Sequence, residues 1–213
     1  MIEDEESALA WLKTLPDFDA VAQDRLQRLV GLLEEENATQ NLVSASSLAQ
    51  VWQRHIADSA QLLRHVSRGT EAGWLDLGTG AGFPGLVIAI LRPDIEMLLV
   101  ESRPRRTAWL KQVCAALALG QVRVIETRLE LMTTRCVSVI SARAFAPLDR
   151  LLKLSARFSS PQTQWLLPKG RSAAHELETL TGWQHMFHVE QSLTDREAGL
   201  IVGRLNGKAG LSR

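Results

Sequence analysis

The residues with the clearest chemical potential form one run, Asp76-Leu77-Gly78-Thr79-Gly80-Ala81-Gly82-Phe83-Pro84-Gly85. It follows the short apolar stretch from Trp74 and leads into another apolar run. A glycine cluster between a strand and a helix lets the backbone turn tightly and lets a bound molecule lie against bare main chain. The dinucleotide pattern G-x-G-x-x-G would need a third glycine where this chain has Phe83. The spacing here is D-x-G-x-G-x-G, from Asp76 to Gly82. Glu101 stands about 20 residues beyond the first of these glycines, where an acid accepts hydrogen bonds from ribose hydroxyls. Together the turn and the acid predict a nucleoside-binding crevice at strand C-termini.

An acid leading three alternate glycines resembles the first motif of class I methyltransferases. That resemblance implies that Asp76 holds the methionine amino group of S-adenosylmethionine, directly or through water. It implies that Gly78, Gly80 and Gly82 carry the backbone past the cofactor. A nicotinamide oxidoreductase is the competing reading of a glycine turn, disfavoured by Phe83 and by the lack of a hydride-transfer dyad. Two others remain, a methyltransferase acting on a small molecule or protein and a non-catalytic RNA-binding shell.

The elements that must hold this loop follow from periodicity. Residues 5–66 read as helices, with Leu9, Leu12 and Leu15 on one stripe and Leu26, Leu29, Val30, Leu32 and Leu33 on the next. Asp17 or Asp19 caps the second helix. The stretch 41–47 reads as a turn with an N-cap, and a third helix runs through Trp52, Ile56, Leu62 and Leu63. From Trp74 on, strands (74–77, 95–100, 122–125, 137–141, 164–167) alternate with helices (86–91, 104–119, 148–158). Two further strands are expected within 184–205. Such alternation predicts an α/β, Rossmann-like, doubly wound parallel sheet with right-handed crossovers. The expected division is a helical extension over residues 1–70 and a cofactor-binding domain over 71–213.

Composition narrows the class. With 46% hydrophobic and 23% charged residues in 213, a real core can be buried. No apolar run approaches the roughly 20 residues that cross a bilayer, and the acidic start at Glu3-Asp4-Glu5-Glu6 is unlike a secretory signal. Cys114 and Cys136 read as reduced thiols of a cytoplasmic protein, and no metal-ligand spacing is present. The net charge of zero conceals an asymmetry. Residues 1–40 carry ten acids against three bases, and residues 101–171 carry thirteen bases against four acids. That distribution permits a basic face on a neutral molecule.

With the pieces placed, almost the whole chain resembles the bacterial ribosomal RNA small-subunit methyltransferase G family. The marks are Asn41-Leu42-Val43, His55-Ile56-Ala57-Asp58-Ser59, and Asp76 to Gly85. Further on come Arg105-Arg106 with Trp109-Leu110, Ala142-Arg143-Ala144-Phe145-Ala146, and Leu167-Pro168-Lys169-Gly170. Departures from the family pattern are Val43, Val137-Ser138 and Pro168, none of which removes a group that methyl transfer needs. The resemblance implies transfer of a methyl group to N7 of a guanine in the decoding-region loop of 16S ribosomal RNA. It implies cofactor contacts from Gly78, Phe83, Leu129, Glu130 and Arg143, with Leu129 and Glu130 at the adenine. Arg143 is expected at the transferable methyl, against guanine O6, a phosphate or the cofactor carboxylate. His55 is expected at the active-site rim if the helical prelude folds over the cleft. Asn41, Arg105, Arg106, Lys169 and Arg171 are the expected RNA contacts, with Arg103 beside them. The partner is then 16S RNA or a small-subunit particle, met by a monomer in the cytoplasm.

Guanine N7 has an in-plane lone pair and no proton to lose. Attack on a sulfonium methyl therefore needs alignment and exclusion of water, not a general base. A sequence without a nucleophile, metal cluster or acid-base dyad suits that chemistry.

Overall fold

A computed structural model describes residues 1–69 and 73–208. The expected domain boundary at 70/71 lies outside the described residues. The chain opens with α1 (Glu5–Leu12), capped by Asp4 in a reciprocal box with Ser7. Next comes α2 (Ala20–Gln40), whose N-cap is Asp19, the second of the two candidate acids. Asn41 ends α2 in the left-handed region at φ 43°. Ser44 caps the single turn α3 (Ala45–Leu48).

The third predicted helix is not one regular helix. It is a π-helical turn (Trp52–Ala57), a short α4 (Asp58–Ala60) and a 3-10 turn (Gln61–His65). The Glu5 carboxylate accepts the Trp52 and Gln53 amides at 3.0 and 2.8 Å, so α1 caps the wide turn that carries His55. π-Turns of this kind recur at functional sites because they re-aim one side chain.

The sheet follows, with β1 (Trp74–Leu77), α5 (Gly85–Leu91), β2 (Met97–Glu101), α6 (Pro104–Ala116) and β3 (Val122–Glu126). Beyond lie β4 (Val139–Ser141), α7 (Leu148–Ser155), β5 (Gln164–Gly170) and α8 (Ala173–Glu178). The C-terminal part holds β6 (Trp183–His185), β7 (His188–Gln191) and β8 (Gly199–Lys208). Strand order is β3-β2-β1-β4-β5-β8-β6, with β7 also pairing β8. The first five strands are parallel, as the alternation predicts, while β8 runs antiparallel to β5, β6 and β7. Three C-terminal strands stand where two are expected, and α8 is an addition. Its six residues are too few for a visible helical stripe.

Every residue of β1 is buried, as a central strand covered on both faces requires. Strand order reverses between β1 and β4, so the crevice opens beyond their C-terminal ends. Leu26, Leu29 and Leu33 of α2 share one apolar cluster with α5 and with Trp74, Met97 and Leu99 of the sheet. The prelude is also clasped to a C-terminal loop. Leu193 receives the amide of Ile2 at 2.7 Å and donates its own to Gln61 Oε1 at 2.8 Å. Thr194 donates to Asp58 at 2.8 Å. These bonds tie the chain start and the segment after the π-turn to the C-terminal loop. Gln53 of the turn itself donates to the Ile2 and Thr194 carbonyls at 3.0 and 3.2 Å.

Candidate active site

The crevice holds two recesses that share a wall. One, of about 480 Å³, is lined by Gly78, Glu101, Leu129, Glu130, Arg106 and Phe145 among others. The second, of about 660 Å³, includes His55, Asp58, Arg143, Phe145 and Lys169. Ala144, Phe145 and Ala146 line both. Both volumes suit small-molecule or nucleoside ligands.

The glycine turn is built from behind by Asp76. Its fully buried carboxylate accepts from the Ser141 hydroxyl at 2.6 Å and from the Gly85 amide at 3.1 Å. Ser141 in turn accepts from the Trp74 indole at 2.8 Å. Burial pushes the Asp76 carboxyl up to about 6, although Ser141 and the Gly85 amide favour its charged form. The expectation that Asp76 reaches a ligand amino group therefore meets a carboxylate engaged by β4 and the start of α5. Gly85 allows that approach, since a Cβ there would sit 2.2 Å from Leu99 and 2.9 Å from Asp76. It does for helix–strand packing what the third glycine does in dinucleotide folds.

Gly78, at φ +62°, faces the first recess, and a Cβ on it would meet the Phe145 ring at 2.4 Å. Glu101, at the end of β2, is the buried carboxylate of that recess. Its Oε1 accepts the Ser102 and Arg103 amides at 2.8 and 2.9 Å, and Oε2 accepts the Gly80 amide at 3.2 Å. A carboxylate has about four lone-pair positions, so roughly one is left for a ligand hydroxyl. The expected bidentate grip becomes a single bond. Gly80 (φ +59°) lies 3.3 Å, from its would-be Cβ, to the Arg106 guanidinium, which itself stands 3.9 Å from Glu101. Gly82 is buried against Leu86, which a Cβ would approach to 2.2 Å.

In the second recess Arg143 is held from several sides. Nη1 contacts Asp58 Oδ2 and the Arg54 carbonyl, each at 3.3 Å, and Nη2 stands 3.1 Å from His55 Nδ1. Its guanidinium lies 5.2 Å from the Phe83 ring centre. Phe83 stacks on His55 with centroids 4.8 Å apart. Phe83 thus joins the glycine turn to the prelude, the reason an aromatic suits a position where dinucleotide folds place glycine. Arginine only donates, so His55 Nδ1 accepts and Nε2 carries the proton. That Nε2 is buried without a hydrogen-bond partner among the described residues. Burial first, then the charges of Arg143 and Arg54, pull the imidazole down to about 3. His55 is a neutral ring that orients Arg143, and its available lone pair is already taken.

The predicted RNA contacts divide. Arg105 is exposed and donates to the Thr39 carbonyl at 3.2 Å, close to Asn41 at the end of α2. Lys169 is not free for phosphate, because its buried ammonium pairs with Glu176 at 2.9 Å and donates to the Ala146 carbonyl. Arg171 pairs with Glu197 at the surface. Sequence reasoning missed Asp58, Gly85, Phe145, Arg128 and Arg150 as site residues. Asp58 carried a signal, three residues after His55 on one helical face.

A glycine turn beneath a strand-end carboxylate at the switch point of a parallel-dominated sheet defines a class I methyltransferase. The chain belongs to the rRNA small subunit methyltransferase G family, whose model matches residues 22–196. It is 58% identical over 204 residues to the ribosomal RNA small subunit methyltransferase G of Novosphingobium aromaticivorans, covering 94% of this chain and 88% of that protein. The enzyme of the same name from Erythrobacter litoralis is 56% identical, covering 98% of this chain and all of that one. In fold it is similar to a SAM dependent methyltransferase from Aquifex aeolicus, with a TM-score of 0.56 and 13% identity over 83% of this chain and 97% of that one.

Proposed function

We propose that this protein transfers the methyl group of S-adenosylmethionine to N7 of a guanine in the decoding-region loop of 16S ribosomal RNA. The observation that carries the reading is the pair of recesses at the switch point, one with Glu101 and one with Arg143, divided only by residues 144–146. Membership in the methyltransferase G family supports both donor and acceptor.

The residues present fit the donor. Gly78 lines the recess beside Phe145, Glu101 keeps lone-pair capacity for a ribose hydroxyl, and Leu129 and Glu130, which line the same recess, are assigned to the adenine in this reading. Asp76, Gly80, Gly82 and Phe83 act from behind by fixing the turn. When bound, S-adenosylmethionine supplies an electrophilic methyl on a sulfonium that departs as a neutral thioether. Arg143 presents a guanidinium pre-oriented by Asp58 and His55, suited to guanine O6 or a neighbouring phosphate and leaving N7 free. His55 is a positioning residue, and a neutral imidazole is no obstacle because N7 has no proton to remove. Ser47, Arg54, His55 and Asp58 of the helical prelude line the acceptor recess, and the proposed division puts the helical extension at 1–70 and the catalytic domain at 71–213. Asn41 and Arg105 contact RNA phosphates, which position substrate without reading sequence, while Arg106, 3.9 Å from Glu101, faces the donor recess. The protein works as a monomer in the cytoplasm. No helix among the described residues is long and apolar enough to cross a membrane.

The test is transfer from labelled S-adenosylmethionine to naked 16S RNA, to assembly particles and to finished small subunits, with mapping of the modified base. Label at a guanine N7 of the decoding region is expected. Label at another base, or in protein alone, overturns the reading.

A further inference from the structure

Four arginines surround the recess at Glu101, and they come from separate elements. Arg103 precedes α6, Arg106 lies within it, Arg128 precedes the 3-10 turn Leu129–Leu131, and Arg150 stands on α7. Arg106 is within ion-pair distance of Glu101. Arg103, Arg128 and Arg150 are exposed and form no ion pair among the described residues. The cations of the neighbouring recess contrast with these. Arg54 pairs with Asp195, Arg143 with Asp58 and Lys169 with Glu176.

S-adenosylmethionine bears a sulfonium and an ammonium against one carboxylate, a net positive charge. Unpaired guanidiniums around its recess repel it. Three exposed guanidiniums are more than the donor's single carboxylate can pair, and their charge suits a polyanion. The anion available to this enzyme is the acceptor's own backbone.

We propose that the sugar-phosphate chain of the RNA crosses the mouth of the donor recess on Arg103, Arg128 and Arg150, closing over the bound cofactor. Binding is then ordered, with S-adenosylmethionine entering first and RNA second. S-adenosylhomocysteine leaves only after the RNA has gone. This rests on the function proposed above and adds to it a path for the substrate and an order of release.

The experiment follows labelled S-adenosylhomocysteine leaving the full-length protein into excess unlabelled ligand, with and without saturating 16S RNA. Methyl transfer to that RNA is measured in parallel. RNA is expected to slow release at least about tenfold. In the triple variant Arg103→Ser, Arg128→Ser, Arg150→Ser, release with RNA compared with release without it should show no slowing. The dependence of RNA affinity on salt should lose about 2 from its logarithmic slope, at roughly 0.7 per single-strand phosphate contact. Release that ignores RNA, from an enzyme that does methylate it, overturns the inference and leaves the function standing. Persistent slowing in the triple variant overturns it as well. Absence of any transfer to RNA by the wild type overturns the function and the inference together.

Discussion

The two recesses differ in how their charges are satisfied. In the acceptor recess every cation named above has a carboxylate partner within the chain, and Arg143 is further fixed by His55. In the donor recess Glu101 accepts three main-chain amides and keeps about one lone-pair position, while Arg103, Arg128 and Arg150 stay open to solvent. One side is organised before any ligand arrives, as a site that aligns reacting atoms must be. The other keeps its charge for a ligand, and fixes only the backbone on which a nucleoside rests.

The sharpest way to break this contrast is to remove the pre-organised fork. Arg143→Ala should lower single-turnover methyl transfer about a hundredfold, equivalent to about 2.8 kcal/mol. Donor affinity, read by calorimetry, should stay within about twofold. Arg143→Lys keeps the charge beside Asp58 but loses the planar fork, and about a tenfold loss is expected. Wild-type rates in the lysine variant would remove the fork from the active site.

On the donor side, Glu101→Ala strips the acceptor from the Gly80, Ser102 and Arg103 amides as well as from the ribose. S-adenosylmethionine and S-adenosylhomocysteine should both weaken about thirtyfold, near 2 kcal/mol for a charged hydrogen-bonding partner. Titration of the two ligands tests it. Unequal losses would mean that Glu101 senses the methyl or sulfonium rather than the shared ribose.

A third experiment separates the buried titrating groups of the two sides by pH. The His55 imidazole titrates near 3 in the folded protein against an ordinary 6.5. Between those values the unfolded chain holds the extra proton, so this residue lowers stability as pH falls. Asp76 titrates near 6 against an ordinary 3.8. Between about 4 and 6 the folded state holds its extra proton, so Asp76 lowers stability as pH rises, and the effect levels off above that. The two slopes oppose each other across pH 4–6. His55→Gln leaves only that of Asp76, so the Tm of the variant relative to wild type should fall steadily from pH 4 to 6. Parallel thermal-melt curves across that range would mean that His55 titrates normally in the fold.

The smallest effects are expected from the two cations the sequence singled out and the fold neutralised. Lys169→Met and Arg171→Ala should each change RNA affinity less than about twofold in a filter-binding titration at fixed salt. Lys169→Met should nonetheless lower Tm, because it strands Glu176 in a partly buried setting. A large loss of RNA affinity in either variant would show that these pairs open for phosphate.

The sequence by itself determined the strand–turn–helix around Asp76 to Gly85, the carboxylate at the end of β2 and the alternation behind the parallel sheet. These are short-range properties. Glycine torsions, capping and apolar period act within a few residues, and each leaves a local mark. Tertiary structure decided which charges are free. Arg143 reads alike in sequence whether it faces solvent or Asp58, 85 residues away. Nothing near Lys169 announces Glu176 and the Ala146 carbonyl as its partners. The irregular turn under His55 depends on Glu5, 47 and 48 residues before the amides it caps. Asp76 became a support of the loop because β4, 65 residues on, brings Ser141 against it. Charge and hydrogen-bond partners are chosen by proximity in space, and proximity across a doubly wound sheet is set only when all of its strands have found their order.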